Sequence, residues 1–329
     1  MLTLELADNS QTCFLVGSSP SPSTLSTAFT PIKEMDDAII KLGSGTFGRV
    51  LTTTYVPYAF KAVRRTRNIP ILKAEFRWTQ AVHNALKDHD CIGAPSAVAF
   101  IDGADPATLV NIPELFTEDL LEGCDQEVTS FLISDRVYPI PRNLRNKIVD
   151  MFCPEAVKSN IRSKSFIARI YLGRQEIHGR TAPQRFFSTY NFALTETKAR
   201  KLHLPVEEYA TTMGFLLARL HFIVGTDGRD LEIVLGMAND SLKPKIHVID
   251  CNQFRTFSGA ADEVPNLVDA VITNDPYFPR QGILLGGMID SYIAEVEAIA
   301  APNKTADILT VAHDFVTQLR FALDVSSAL

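Results

Sequence analysis

Three glycines stand in the run Leu42-Gly43-Ser44-Gly45-Thr46-Phe47-Gly48-Arg49-Val50, and Lys61 follows within Tyr58-Ala59-Phe60-Lys61-Ala62-Val63. A turn rich in glycine lets backbone N–H groups approach phosphate oxygens, because no Cβ holds them apart. An ammonium on the next strand adds the matching charge. Glu75 comes fourteen residues after Lys61 and is placed to pair with it. Farther on, Thr226-Asp227-Gly228-Arg229-Asp230-Leu231-Glu232-Ile233-Val234-Leu235 and Val248-Ile249-Asp250-Cys251-Asn252-Gln253-Phe254 bring four carboxylates into two short phrases. Carboxylates in such turns take up protons or hold cations.

The residues after the glycine run, Val50 to Val56 and Tyr58 to Val63, are β-branched and aromatic, which predicts a hairpin between strands and argues against the helix that a dinucleotide-binding turn would open. The order of glycine hairpin, strand lysine, helix glutamate, aspartate loop and second aspartate resembles the protein kinases. That resemblance implies an α+β, two-lobed protein-kinase-like fold with a β-rich N-lobe and a mainly α C-lobe. It implies Asp227 as catalytic base, Glu232 and Asp250 as the metal-binding pair, and Lys61 held by Glu75 on the nucleotide phosphates. Two departures weaken phosphoryl transfer: Glu232 stands where an asparagine is expected, and no D-F-G follows at Asp250. The plainer readings stay open beside these. The glycine run also fits an ordinary hairpin, Glu75 a solvent-facing carboxylate, and the acidic residues turn caps or ion-pair partners of Arg229. His221, at the end of an apolar helix, reads as a satisfied core or capping residue before a catalyst.

These residues must be positioned by elements that the pattern also predicts. The Ser/Pro/Thr-rich stretch 17–31 marks 1–34 as an extension, 35–140 as the first lobe and 141–329 as the second, with Pro139-Ile140-Pro141 at the crossing. Helical spacing is seen over 76–86, 206–221, 288–300 and 305–323; strands are predicted over 126–137, 166–173, 231–235 and 245–250. At 329 residues the chain exceeds what one core usually fills, in keeping with two lobes.

Hydrophobic residues make up 46% of the chain, which excludes general disorder. Five scattered cysteines without a C-x-x-C pair argue against a disulfide framework and a structural zinc site. They point to a reducing cytoplasm. Glu5 and Asp8 interrupt any secretory start, and about 18 consecutive apolar residues occur nowhere, so no membrane association is expected. The net charge of −6 excludes a generally cationic DNA binder. Yet residues 142–185 carry +7, leaving −13 elsewhere, and Arg64, Arg65 and Arg67 with Lys73 form a second basic cluster. Such segments are solvated faces or sites for a polyanion's phosphates.

Several longer phrases, Ala168 to Arg174, Tyr190 to Leu194, Leu220-His221-Phe222, Asp227 to Gly236, Val248 to Gln253 and Asn274-Asp275-Pro276-Tyr277-Phe278-Pro279-Arg280, resemble a fungal family of degenerate kinase-like fold, often labelled zinc-finger proteins. The family includes arginine-containing cyclodipeptide synthases of natural-product biosynthesis. The resemblance implies an enzyme that condenses arginyl-tRNA with a second aminoacyl-tRNA to a diketopiperazine and needs no cofactor. Its partners would be aminoacyl-tRNAs. On this reading Asp227, Asp230, Glu232 and Asp250 hold a guanidinium, while Gly43, Gly45, Gly48, Arg64, Arg65, Arg67 and Asn252 contact the remainder of the substrate. A carboxylate or His221 is the base, and Ser44 or Tyr190 a possible acyl carrier. The alternative is a small-molecule phosphotransferase using Mg²⁺ and ATP, or a pseudokinase that keeps the scaffold for binding only.

Overall fold

The computed structural model describes residues 40–53, 56–103, 130–162, 164, 166–174, 187–189, 192–238, 243–301 and 306–328. The expected extension 1–34 and Tyr190 lie outside them. In chain order the elements are β1 (Ile40–Ser44), β2 (Gly48–Thr52), β3 (Tyr58–Val63), α1 (Ile69–Leu86), β4 (Ile92–Gly93), β5 (Ala97–Ile101) and β6 (Phe131–Asp135). There follow α2 (Arg142–Phe152), α3 (Lys158–Arg162), β7 (Ala168–Tyr171), β8 (Phe192–Thr195), α4 (Glu196–Lys201) and α5 (Val206–Arg219). The last are β9 (Glu232–Gly236), β10 (Lys245–Ile249), α6 (Val264–Thr273), α7 (Gly282–Ala300) and α8 (Ala306–Ala328). The fold is mixed α+β, with a five-stranded antiparallel sheet in the N-terminal part and a largely helical C-terminal part.

The first sheet runs β1-β2-β3-β6-β5. Its register places Lys61 opposite Val50 on one side and Leu132 on the other, at the middle of the sheet. The second sheet runs β4-β10-β9-β7-β8 and is mixed, β4 joining β10 and β8 joining β7 in parallel. β4 comes from the stretch assigned by sequence to the first lobe, so the second sheet draws on both parts of the chain.

The helix α1 carries Pro70 in its first turn, where a fixed φ and a missing N–H are tolerated. Its buried residues Leu72, Glu75, Thr79, Val82 and Leu86 fall at steps of three and four, on one face. Leu72 closes a small core with Val63 and Leu132, whereas Val82 and Leu86 enter the large C-terminal core. The helix therefore belongs to both halves. It starts seven residues before the stretch read from the sequence, which moves Glu75 from the edge of that stretch to the second turn of the helix.

In the C-terminal part α5 packs along α7, and Gly214 lies where they cross. A Cβ there would stand 2.0 Å from the Met288 carbonyl oxygen, so the close approach needs glycine. Among the described residues no helix is long and apolar enough to cross a membrane.

We expect Gly214→Ala to destabilise the fold by about 1–3 kcal/mol, the usual cost of overpacking. Gly286→Ala, in α7 where a Cβ meets nothing within 4 Å, is expected to stabilise by roughly 0.5–1 kcal/mol through helix propensity. Urea denaturation of the two variants checks the opposite signs.

Candidate functional site

Lys61 is the hub. From the middle of the first sheet its Nζ donates to Glu75 Oε1 at 2.6 Å and to Asp250 Oδ1 at 2.7 Å. Glu75 descends from the inner face of α1, and Asp250 directly follows β10. Three elements distant in sequence thus meet on one ammonium. Burial pulls Lys61 down, but Glu75 and Asp250 more than reverse this and hold it charged, above its ordinary value. Burial raises Glu75 to about 7, with Lys61 opposing and Asp250 adding to the rise. Its Oε2 is buried and has no hydrogen-bond partner among the described residues.

The glycine hairpin roofs this trio. Phe47 at its tip lies over the ammonium, with Lys61 Nζ 5.1 Å from the ring centroid. A Cβ on Gly48 would stand 2.3 Å from the Ala62 carbonyl, so the strand pairing itself requires glycine there. At Gly43 a Cβ would make only ordinary contact, and at Gly45 it would meet nothing within 4 Å. Packing among the described residues does not require glycine at those two positions. Arg64 is committed to the hairpin: its Nε donates to the Gly45 carbonyl at 2.7 Å and its Nη2 to Ser44 Oγ at 2.7 Å. That arginine, read from sequence as a substrate contact, holds the loop, and Ser44 is its acceptor. Arg65 and Arg67 are exposed on the turn leading into α1.

The carboxylates separate into two groups. Asp227 is 2% exposed and is fully engaged. Its Oδ1 accepts from the backbone N–H groups of Arg229 and Arg255, both at 3.0 Å, and its Oδ2 from Arg255 Nε at 2.6 Å. These bonds make it an anchor of the loop, a role the spacing alone did not show. Arg229 and Arg255 in turn reach Asp269.

Asp230, Glu232, Asp250 and Asp275 form the second group. Asp230 adopts φ +60° and Asp250 φ +64°, left-handed conformations that non-glycine residues rarely take and that concentrate at functional sites. The Asp230 N–H donates to Asn274 Oδ1, and its carboxylate accepts from Gln253. Burial raises the Asp230 carboxyl, and repulsion from Asp250 and then Asp275 raises it further. Glu232 opposes Ile249 across the β9–β10 pairing, which sets it beside Asp250. Burial lifts Glu232 to about 7; Arg169 opposes this and Asp250 reinforces it.

Arg169 was not singled out by chemistry in the sequence, yet it neutralises this group. Its Nη2 donates to Glu232 Oε1 at 2.6 Å, and Nη1 lies 3.9 Å from Asp275 and 3.4 Å from Tyr277 Oη. It opposes Val234 on β9, so Glu232, two residues back, lies diagonally on the same face. A charged residue inside the apolar strand Ala168–Tyr171 was the available signal. Tyr171 Oη donates to Asp275 Oδ2 at 3.0 Å, and its ring stacks on Tyr277 at 4.7 Å. The phrase Asn274 to Arg280 thus frames the site.

Asn252, two residues past Asp250, keeps its Oδ1 buried without a hydrogen-bond partner. Cys251 is buried behind it and its thiol is pushed far up by burial. His221 stands apart, ringed by Phe222, Phe257, Tyr292 and Phe315, with Nδ1 3.0 Å from Tyr292 Oη. Burial lowers it to about 3, which keeps the ring neutral inside this aromatic cage and makes it a weak proton acceptor.

The arrangement thus joins a cation under an open backbone hairpin to a cluster where carboxylates outnumber bases. Comparison with family models and with curated proteins finds no match for this chain.

A folded-state value for Glu75 near 7, above the ordinary 4.5, means that folding takes up a proton. Its contribution to stability is complete below about pH 4.5 and is lost as pH rises through 7. Lys61→Met removes the opposing charge and widens that dependence. We expect a loss of about 3–5 kcal/mol at pH 8, smaller at pH 5.5, from leaving the buried carboxylate unpaired. Thermal melts at the two pH values, with Lys61→Met/Glu75→Gln flattening the difference, check this.

Proposed function

We propose that this chain is an aminoacyltransferase on a kinase-like scaffold, condensing arginyl-tRNA with a second aminoacyl-tRNA into an arginine-containing cyclic dipeptide. The observation that carries this reading is the convergence of Asp230, Glu232, Asp250 and Asp275, whose mutual repulsion a bound cation relieves. A guanidinium suits such a cluster because its planar fork donates several N–H bonds to carboxylates at once. The resemblance of the phrases from Ala168 to Arg280 supplies the tRNA ester and the product.

On this reading the free α-amine of one aminoacyl group attacks the ester carbonyl of the other. A C–N bond forms, the ester C–O bond breaks, and the proton leaving the amine passes through a carboxylate to the departing tRNA oxygen. A second aminolysis closes the six-membered ring and releases the other tRNA. Asp230 is the favoured base: it is exposed, its carboxyl is raised, and Asn274 fixes its backbone. A raised carboxyl is better matched to proton transfer near neutrality. Lys61 and the hairpin face the phosphates beside the ester.

A second reading, a phosphotransferase using Mg²⁺ and ATP, is favoured by the Lys61–Glu75–Asp250 trio beneath the glycine hairpin. Against it, its second metal ligand Glu232 is held by Arg169 and its base Asp227 by Arg255.

Incubation with arginyl-tRNA and a second aminoacyl-tRNA is expected to give a cyclic dipeptide by mass spectrometry. Asp230→Asn should lower the rate by roughly 10²–10⁴-fold, the ordinary weight of a general base. No product with any of the aminoacyl-tRNAs overturns the proposal. A melting shift with Mg²⁺-ATP, roughly 2.7 kcal/mol at a hundredfold excess over Kd, favours the phosphotransferase instead.

A further inference from the structure

We propose that the outer face of α1 and the turn before it form a docking strip for the phosphodiester backbone of an RNA. The strip consists of Arg65, Arg67, Lys73 and Arg77, all exposed. The inference rests on the reading that an aminoacyl-tRNA is the substrate, and it names the surface that holds that RNA outside the acidic cluster.

Acidic residues outnumber basic ones in this chain, 38 to 32, and several of its other cations are spent on carboxylates. Arg169, Arg200, Arg219, Arg229 and Arg255 each hold a carboxylate within 2.5–2.8 Å. Among the described residues the four cations of the strip have no ion-pair partner; Lys73 makes only a distant contact, 6.0 Å from the Phe100 ring centroid. Lys73 and Arg77 stand four residues apart on one helix face, a spacing at which like charges oppose helix formation. The strip therefore does not serve stability.

Its position follows from the helix period. Glu75 lies about 200° around the axis from Lys73 and Arg77, so the helix that sends Glu75 inward to Lys61 sends these cations outward. Arg65 follows directly on Arg64, which clamps the hairpin at Gly45. The strip thus begins, in sequence, directly after the arginine that clamps the hairpin over Lys61. Three of the four cations are arginines, whose forks take a phosphate through two bonds. A lipid surface is the poorer fit, since the apolar face of α1 is already buried against both cores.

The test is fluorescence anisotropy of an uncharged tRNA transcript against the full chain over a range of salt concentrations. The variant Arg65→Ala/Arg67→Ala/Lys73→Ala/Arg77→Ala should bind at least about tenfold more weakly at moderate salt, with the slope of log K against log[salt] shallower by roughly three to four. A control removing four exposed charges outside both basic segments, Lys87→Ala/Arg200→Ala/Lys201→Ala/Arg320→Ala, should keep most of the affinity. The double variant Arg67→Ala/Arg77→Ala, expected to lose about half of the slope change, replaces the fourfold one if that fails to fold. Wild-type affinity and slope in the strip variants overturn the docking strip and leave the tRNA-dependent reading standing. If the unaltered chain binds no tRNA, or binds only phosphatidylserine vesicles, both fall.

Discussion

One ammonium, that of Lys61, holds this molecule's candidate site together. Taking a charge out of water is costly, and a buried ion pair repays that cost only when its geometry satisfies both partners. Here a single cation serves two carboxylates, one from α1 and one from the end of β10, at 2.6 and 2.7 Å. The sheet that carries Lys61, the helix that spans both cores and the second sheet are therefore tied at one point. Removing Lys61 leaves two carboxylates without their shared cation, Glu75 deeply buried, whereas removing either carboxylate leaves the other still paired with Lys61.

Around that point the chain accepts further unfavourable terms. Asp230 and Asp250 hold left-handed backbone, Asp230 is repelled by Asp250 and Asp275, and Glu75 and Asn252 each leave an oxygen without a partner. Rigid neighbours offset these costs. Asp227 gathers the loop through Arg255 and two backbone N–H groups, and Asn274 braces it at Gly228 and Asp230. The result is a surface set in place before any ligand arrives, with negative charge that only a cationic group satisfies.

What the sequence disclosed follows from the range over which each feature is determined. The hairpin, the strand of Lys61 and the inward stripe of α1 are local patterns, and Glu75 stood out as a carboxylate in register with Leu72, Thr79 and Val82. The choice between Asp227 and Asp230 was not legible. They share one turn, and what separates them is the reach of Arg255, 28 residues away, and of Asn274, 44 residues away. Arg169 was hidden for the same reason: its partner Glu232 is set by the pairing of β7 with β9, which no local pattern encodes. The loop contact of Arg64 was hidden by its type, since a guanidinium that suits a phosphate also suits the Gly45 carbonyl.

The two-residue strand β4 has a mechanical consequence. It leaves the end of α1 and stitches onto β10, the strand that delivers Asp250. The hairpin sheet and Asp250 are thus fastened to each other twice, once by continuous backbone through α1 and this short seam and once by charge at Lys61.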